Sequence, residues 1–433
     1  MKMRKILSLC AAMTMLGVTA ATAQQPAPQT PPRPGVPLQP ALAMLGMTRP
    51  KSPEVDTDGA VTFRLKAPDA RAVGVSGSWQ PGMMAAPLPM AKGDDGVWQL
   101  TVNGLKPEIY TYNFVVDGVR TLDPGNVNVM RDGIRFLSAV TIPGAGSNLF
   151  MVNNVPHGTV EQVWYPSPSL SLAARRMYVY TPAGYESGHD RYPVFYLLHG
   201  GGGDEDAWDN LGRAPEILDN LIAAGKAKPM IVVMTNGNYN QTAAPGIVPQ
   251  VETPSSAPTS SGMGQMLKFS DSIVADVIPF VDRRYRTIRD RGHRAIAGLS
   301  MGGAQTYEAA FHHMDQFAYV AAFSAGVIMF PGAIKPPAGQ SGPLSILQLM
   351  GSPIDPAAMT AEFPKLDASA NQKLRLLYIT SGESDPLNHA NLQFMDWLTS
   401  RGVQYKKMIL PGYGHEWPFW RISLADLLPQ LFN

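Results

Sequence analysis

The sequence predicts two folded regions of different class: an all-β immunoglobulin-like sandwich, followed by a mostly parallel β-sheet flanked by helices. Two observations predict this division. Over residues 51–145, short β-branched and aromatic segments recur with turn residues between them, as in a sandwich. From residue 146 to 433, near-continuous apolar runs alternate with amphipathic stretches, which is typical of strands that helices cover on both faces.

The first 50 residues precede both folded regions, and residues 1–23 are predicted to be a secretory signal peptide. Its parts are three basic residues (Lys2, Arg4 and Lys5), an apolar run over 6–18 and the small residues Ala21, Thr22 and Ala23. The run is shorter than the roughly 20 residues that a membrane-spanning helix needs. Residues 24–50 are proline-rich and predict an extended leader. We therefore expect cleavage after about Ala23, a periplasmic or extracellular location and no membrane insertion after signal removal.

Charge and cysteine content exclude several classes of function. The chain has 35 basic and 34 acidic residues, and removal of the signal takes away three basic ones, so the formal net charge becomes −2. This balance argues against nucleic acid as a partner. The only cysteine, Cys10, lies in the signal, so the mature chain forms neither a disulfide nor a thiolate metal site. The charged fraction of 16% is low and favours an uncharged or weakly charged polymer as the substrate.

The elements of both regions follow from periodicity. The predicted sandwich strands are 61–65, 72–76, 97–102, 110–116 and 138–142, with a hairpin turn at Asp117-Gly118. In the second region, 158–165 and 175–181 predict an antiparallel pair. The buried strands are predicted at 194–198, 230–235, 294–297, 319–324, 374–380 and 405–409, and helices at 214–224, 267–285 and 387–401. Two inserts rich in Pro, Gly and Ser, 236–264 and 326–367, stand where long loops roof a cleft.

The pattern G-x-S-x-G over residues 298–302 carries the main functional signal. It lies between the apolar run 294–297 and a stretch of small residues suited to a helix. A strand that turns so sharply into a helix tolerates only small neighbours, which explains the glycines around Ser300. The turn leaves the Ser300 hydroxyl exposed at a helix N-terminus, where the helix dipole favours developing negative charge. The sequence therefore predicts a nucleophile elbow and, with it, an α/β-hydrolase fold.

A serine nucleophile needs a base, and the base needs a carboxylate that fixes its tautomer. In this fold the acid precedes the histidine, and both follow the serine. His415 lies in a glycine-containing loop directly after the strand 405–409, so it is the predicted base. The alternative, His389, falls within the predicted helix 387–401.

The predicted acid is Asp385, which follows the strand 374–380 and comes directly before Pro386 and a helix. Glu383, in the same loop, remains the alternative. Asp367 precedes the strand and is not favoured.

An oxyanion hole requires backbone N–H groups that point at the carbonyl oxygen as it gains charge. Met301, directly after the nucleophile, is expected to supply one. The second is expected from the loop His199-Gly200-Gly201-Gly202-Gly203, which follows a buried strand. Gly201 is the predicted donor and Gly202 the next candidate.

The remaining candidates concern metals and substrate contacts. His199 belongs to no H-E-x-x-H or comparable cluster, and the pair His312-His313 is interpreted as a helix end, so no metal or other cofactor is expected. Near the cleft, Tyr239 and Trp417 are candidate substrate contacts whose rings can stack on a flat ring of the substrate. Gly202 is a further candidate substrate contact. Trp420 is expected to pack in the core.

The motifs resemble those of a known family. The segments 197–203, 297–303, 381–385 and 414–417 are similar to motifs of the putative-esterase family, and within it to feruloyl and acetyl xylan esterases of carbohydrate esterase family 1. The front region resembles a family 48 carbohydrate-binding module at 75–79, 96–98, 110–114 and 116–118. The resemblance implies Ser300, Asp385 and His415 as the triad.

The resemblance also implies a secreted serine esterase that hydrolyses feruloyl or acetyl esters on xylan-type plant polysaccharide through an acyl-enzyme. Plant cell-wall polysaccharide or its ester-bearing oligosaccharides are the expected partners. The alternatives are a siderophore esterase, acting on a catecholate trilactone, and a catalytically silent glycan-binding protein.

Overall fold

The fold was analysed in a computed structural model that describes residues 49–80, 85–247, 267–334, 348–349 and 352–433. The predicted signal at 1–23 lies outside the described residues, as do the leader up to residue 48 and parts of both predicted inserts. Arg49 to Asn433 form one compact unit. Within the described ranges, no helix combines the length and the apolar character that crossing a bilayer demands.

The front region is a sandwich of two antiparallel sheets. Its strands are β1 (Glu54–Val55), β2 (Val61–Lys66), β3 (Val73–Gly77), β4 (Leu88–Pro89), β5 (Ala91–Lys92), β6 (Val97–Val102), β7 (Ile109–Val116), β8 (Val119–Thr121), β9 (Val129–Asp132) and β10 (Arg135–Thr141). One sheet has the order β1-β2-β6-β5, and the other has the order β4-β3-β7-β10-β9, with β8 paired to β7. Alternate residues of β2, Val61, Phe63 and Leu65, are buried between the sheets.

All five predicted sandwich strands are present, and the hairpin at Asp117-Gly118 is confirmed. Asp117 and Gly118 have φ values of 46° and 90°, and β7 pairs with β8 directly across them. The periodicity did not predict β9, nor the very short strands β1, β4, β5 and β8. A strand of two or three residues is too short to show a period of two.

The second region contains a sheet of eight strands. They are β11 (Thr159–Ser167), β12 (Leu172–Thr181), β13 (Val194–Leu198), β14 (Ile231–Thr235), β15 (Arg294–Leu299), β16 (Tyr319–Phe323), β17 (Leu376–Gly382) and β18 (Lys406–Leu410). Their order is β11-β12-β14-β13-β15-β16-β17-β18. The first three form antiparallel pairs and the rest are parallel, which is the α/β-hydrolase arrangement.

The six predicted buried strands and the predicted antiparallel pair are confirmed, with boundaries shifted by at most three residues. In β13, Tyr196 and Leu198 pack into the core on one face of the sheet, and Phe195 and Leu197 into the core on the other. Burial on both faces explains why these strands read as continuous apolar runs.

Helices flank the sheet. They are α1 (Ala207–Asn210), α2 (Ala214–Ala223), α3 (Lys268–Ser272), α4 (Ile278–Arg284), α5 (Met301–His312), α6 (Pro356–Glu362), α7 (Asn388–Ser400) and α8 (Trp417–Leu427). The helical stretch predicted over 267–285 is confirmed as a continuous run over 268–284, within which a π-helical segment, Ile273–Val277, separates α3 from α4. Pro279 at the start of α4 offers no N–H and its ring crowds the preceding turn, which favours a wider turn there.

Candidate active site

Ser300 stands at the sharp turn between β15 and α5. Its backbone has φ 52° and ψ −115°, a conformation that is strained for a residue with a side chain. The neighbouring glycines are required: a Cβ atom at Gly298 would lie 2.3 Å from the carbonyl oxygen of Gly302, and one at Gly302 would lie 2.4 Å from that of His199. The structure therefore has the predicted elbow, with the serine held at the N-terminus of α5.

The structure brings Ser300, His415 and Asp385 into one hydrogen-bonded series. His415 Nε2 lies 3.0 Å from Ser300 Oγ, and His415 Nδ1 lies 2.9 Å from Asp385 Oδ2. The Asp385 side chain is fully buried, and its other oxygen accepts a 2.7 Å hydrogen bond from the Leu387 amide. A buried carboxylate at Nδ1 keeps the proton on that nitrogen, so Nε2 is free to accept the serine proton.

The His415 ring is also held from the side. Trp420 meets it edge-on, with 4.9 Å between ring centroids, and donates from Nε1 to Ser324 Oγ at 3.2 Å. Trp420 is 6% exposed, in agreement with its predicted place in the core. An edge-on aromatic contact restricts rotation of the imidazole between its two partners.

The alternative acid and base lie away from this series. The carboxylate of Asp367 accepts from the Ser369 amide at 2.9 Å and caps a short helical turn. His389 lies on α7, where its Nε2 is 3.1 Å from the amide nitrogen of Gln393. Glu383 is exposed, and its backbone amide donates to the carbonyl of Leu410 at 2.9 Å.

The glycine loop 199–203 lies beside Ser300, as predicted. A Cβ atom at Gly200 would lie 3.2 Å from Ser300 Cβ, whereas one at Gly201 would meet nothing within 4 Å. In the described part of the chain, the Gly201 and Met301 amides donate to no protein acceptor, which leaves them available to a substrate oxygen. Gly202 has φ +80° and is not among the described residues that line the cavity at Ser300.

His199 fixes this loop, a role that sequence reasoning missed. Its Nε2 accepts from the Gly237 amide at 2.7 Å, so the ring hydrogen is on Nδ1, which donates to the Gly200 carbonyl at 2.7 Å. The ring is 1% exposed, and burial lowers its pKa, which keeps it neutral. No sequence motif marks this role, because Gly237 is distant in the chain.

A cavity of about 460 Å³ opens above Ser300. The α/β region contributes Leu299, Trp417 and Trp420 to its wall, so the predicted contact Trp417 does face this space. The sandwich contributes the opposite wall, and its described lining residues are Ser78, Ile109, Thr111, Met130, Asp132, Arg135 and Leu137. Sequence reasoning missed this second wall. The dipeptide Asp132-Gly133 was a hairpin signal that could have indicated β9 and β10.

Tyr239 does not belong to the described lining of this cavity. Its ring is partly buried against the core, with the Lys268 ammonium 5.7 Å from the ring centroid. Its backbone carbonyl accepts from the buried guanidinium of Arg175 at 3.1 Å. The predicted stacking on a substrate therefore has no support at this residue.

At the other end of α5, Glu308 and His312 meet Glu362 of α6. Their ligand atoms lie within 4.8 Å of one another, which makes them a group that could hold a cation. Burial, with a contribution from Glu362, raises the pKa of Glu308 to about 8. Because a protonated carboxyl is a poor metal ligand, a cation would have to displace this proton before Glu308 could act as a ligand. His312 is the last residue of α5, as predicted.

Comparisons with known proteins place the α/β region in context. A family model described as "Putative esterase" matches residues 171–431, a span that contains all three residues of the hydrogen-bonded series. A Xylanibacter ruminicola protein named endo-1,4-beta-xylanase/feruloyl esterase is 29% identical over 388 residues, which cover 88% of this chain and 46% of the relative. An Acetivibrio thermocellus protein named endo-1,4-beta-xylanase Y is 28% identical over 59% of this chain and 22% of its own length. The chain thus spans less than half of either relative.

Among solved structures, the enterobactin esterase of Shigella flexneri, in the presence of enterobactin, has a TM-score of 0.58 and 18% identity, covering 86% of this chain and 92% of that one. At this identity the likeness shows the fold alone. The resemblance of the sandwich to a family 48 module stays a prediction.

Proposed function

We propose that this chain, which belongs to the Putative esterase family, is a carboxylic ester hydrolase, and specifically a secreted serine esterase that cleaves feruloyl or acetyl esters on xylan-type plant polysaccharide. The observation that carries the proposal is the series Ser300–His415–Asp385, with separations of 3.0 and 2.9 Å, at the floor of a cavity large enough for an acyl group. The names of the two curated relatives support the polysaccharide as the substrate.

The geometry supports a two-step reaction. Ser300 Oγ attacks the ester carbonyl carbon as its proton passes to His415 Nε2, and the Met301 and Gly201 amides stabilise the oxyanion. The C–O bond to the sugar then breaks, and the sugar oxygen takes the proton from His415. Water attacks the acyl-enzyme by the same route, which releases the carboxylic acid and restores Ser300. Asp385 stays ionised throughout and stabilises the imidazolium.

The cavity favours an aromatic acyl group over acetyl. Its volume of about 460 Å³ falls in the range of ordinary small-molecule sites, roughly 300–1,000 Å³. Trp417, Met130 and Leu137 give it apolar walls that suit a flat ring. An acetyl group would leave most of this space to water, so feruloyl esters are the preferred proposal.

Replacement of Ser300 by Ala tests the proposal. We expect turnover of methyl ferulate to fall on the order of a millionfold, because without the hydroxyl no acyl-enzyme forms. Hydrolysis is measured by release of free ferulate, with circular dichroism as the check on folding. Retained turnover would refute the assignment of Ser300.

A substrate panel separates the alternatives. Methyl ferulate, acetylated xylan and a catecholate trilactone are compared at equal enzyme concentration. Preference for the trilactone would indicate a siderophore esterase, and retention on xylan with no hydrolysis of any ester would indicate a silent glycan-binding protein. Secretion is checked separately by sequencing the N-terminus of the mature protein, which we expect to begin at Gln24.

A further inference from the structure

The sandwich meets the candidate active site mainly through one hairpin, β9–β10, with Ser78, Ile109 and Thr111 beside it. Two aromatic residues that carry its resemblance to a glycan-binding module are engaged in packing within the sandwich: the partly buried Trp79 stacks on Phe63 with 5.3 Å between centroids, and Trp98 is 8% exposed. The hairpin, in contrast, lines the cavity above Ser300 through Met130, Asp132, Arg135 and Leu137 of its two strands.

The tip of this hairpin touches the glycine loop directly. Gly133 has φ +58°, and a Cβ atom there would lie 2.1 Å from the carbonyl oxygen of Gly202. Only glycine permits so close an approach between the two backbones. The peptide that follows Gly202 is therefore in contact with the sandwich.

Arg131 of β9 joins the hairpin to the end of the same loop. Its Nη1 and Nη2 each donate to one oxygen of Asp204 at 2.6 Å, while Nε donates to Asp206 Oδ2 at 3.0 Å and Nη2 lies 2.7 Å from that oxygen. Nη1 also donates to the Gly133 carbonyl at 2.7 Å. The five N–H groups of the guanidinium thus all have acceptors, a geometry that lysine cannot reproduce.

The ion pairs of Arg131 with Asp204 and Asp206 are largely buried, so their loss is costly to the stability of this region. The side chains of Arg131 and Asp204 are 14% and 1% exposed, and burial together with Asp204 raises the pKa of Asp206 to about 6. Loss of the guanidinium would leave two close carboxylates without their counter-charge, a strongly destabilising arrangement. Repulsion between these carboxylates would shift the segment 204–206 away from the sandwich. The glycines directly before this segment would move with it.

We propose that Arg131 is a positioning residue of the active site: it holds the loop 199–206 from the sandwich, so that the Gly201 amide stays directed at the oxyanion formed above Ser300. The sandwich is on this account a part of the catalytic site and not a separate binding module. The inference rests on the proposed function for its kinetic readout alone.

The test compares R131Q with the wild-type full-length protein on methyl ferulate. We expect kcat to fall about 10- to 100-fold with KM changed less than about threefold, because an oxyanion donor acts in the transition state. The inhibition constant of phenylboronic acid, which forms a tetrahedral adduct with an active-site serine, should rise in parallel with the loss of kcat. Inhibition by the product ferulate should not change. R131K should fall between R131Q and the wild type.

A second readout does not depend on catalysis. Hydrogen–deuterium exchange of the peptide covering 199–208 should be faster in R131Q, while exchange in β13 and β15 stays as in the wild type. The matched control is R120Q, which removes one exposed positive charge from β8 of the same sheet. We expect R120Q to match the wild type in every measurement.

The variant E108Q distinguishes positioning of the glycine loop from general packing of the sandwich against the α/β region. Glu108 accepts from Arg421 of α8 at 2.7 Å, and among the described residues this is a second buried ion pair between the sandwich and the α/β region. We expect E108Q to lower the melting temperature and to keep kcat within about twofold. The proposal is overturned if R131Q leaves loop exchange unchanged, or if E108Q lowers kcat as much as R131Q. If S300A keeps its activity, the proposed function fails, and loop exchange still decides the role of Arg131.

Discussion

The two walls of the cavity differ in how the chain builds them. On the α/β side, the reactive groups follow the C-terminal ends of three parallel strands: Ser300 after β15, Asp385 after β17 and His415 after β18. On the sandwich side, the wall comes from residues between 78 and 137 that carry no chemical motif. Parallel strands end at one edge of a sheet, so chain order alone brings the first set together. The second wall exists only because two regions pack against each other.

The difference teaches which part of the chain determines each property of the proposed enzyme. A short motif with its strand and helix fixes the reaction, because each reactive group depends on local backbone geometry. The size and polarity of the cavity depend on both walls, and so on contacts between segments far apart in the chain. Substitutions of the reactive groups should therefore act on kcat, and those of side chains that line the cavity from the sandwich should depend on the substrate.

The largest expected effect is on the α/β side. In D385N the side-chain amide can donate to His415 Nδ1 and so favours the wrong tautomer, with the hydrogen on Nε2. We expect kcat for a small soluble ester to fall on the order of ten-thousandfold, as when the aspartate of a comparable triad is changed to asparagine. Steady-state kinetics with 4-nitrophenyl acetate measure it.

The matched control for this change is E383Q, two residues away in the same loop. Glu383 is exposed and lies outside the hydrogen-bonded series, so activity should stay within about twofold. A large loss in E383Q with little in D385N would reverse the assignment of the acid.

The same contrast explains what the sequence could predict. β13 was predicted over 194–198 and observed as Val194–Leu198, because a strand buried on both faces is apolar throughout. The hydrogen-bonded series of Ser300, His415 and Asp385 follows from chain order and strand ends. The elbow follows from the crowding at Gly298 and Gly302.

What escaped prediction depends on partners that are distant in sequence. β9 pairs only with β10 at the edge of its sheet, and its exposed Val129 hides the alternation of buried residues. His199 holds the glycine loop through Gly237, and Arg131 reaches Asp204 across 73 residues. Tyr239 was predicted from its aromatic ring and its place in the first insert, and it lines no part of the described cavity.

A smaller and more selective effect is expected on the sandwich wall. In L137W a larger side chain extends from β10 into the cavity and takes space from a bulky acyl group. We expect kcat/KM for methyl ferulate to fall about tenfold, and that for 4-nitrophenyl acetate to change less than about threefold. The ratio of the two measures the contribution of this wall to specificity.

The control here is V119W, which adds the same side chain to β8 at an exposed position, since Val119 is 68% exposed. This substitution should leave kcat/KM unchanged for both esters. An equal loss on both esters in L137W would mean that this wall faces the reacting carbonyl and not the acyl ring.

The smallest expected effect concerns Glu308, a buried acid on the α/β side that we expect to influence stability and not catalysis. Glu308 lies on α5 about 12 Å from Ser300 by the rise of the helix, and its side chain is 17% exposed. Burial raises its folded-state pKa to about 8 from 4.5, with Glu362 and Asp271 contributing in the same direction. The folded chain therefore holds a proton that the unfolded chain releases near pH 4.5, so this group lowers stability as pH rises from 4.5 to about 8.

Glutamine at this position cannot titrate. The melting temperature of E308Q minus that of the wild type should therefore become more positive between pH 5 and pH 9, by about one to three degrees for a chain of this size. Scanning fluorimetry at both values, with EDTA to remove any cation from Glu308, His312 and Glu362, measures it, and kcat should not change. A difference of opposite sign would mean that pairing of ionised Glu308 with His312 outweighs its burial. A fall in kcat would mean that the end of α5 far from the elbow also affects the reaction. This would contradict the conclusion that the reaction depends on the local geometry around Ser300, Asp385 and His415.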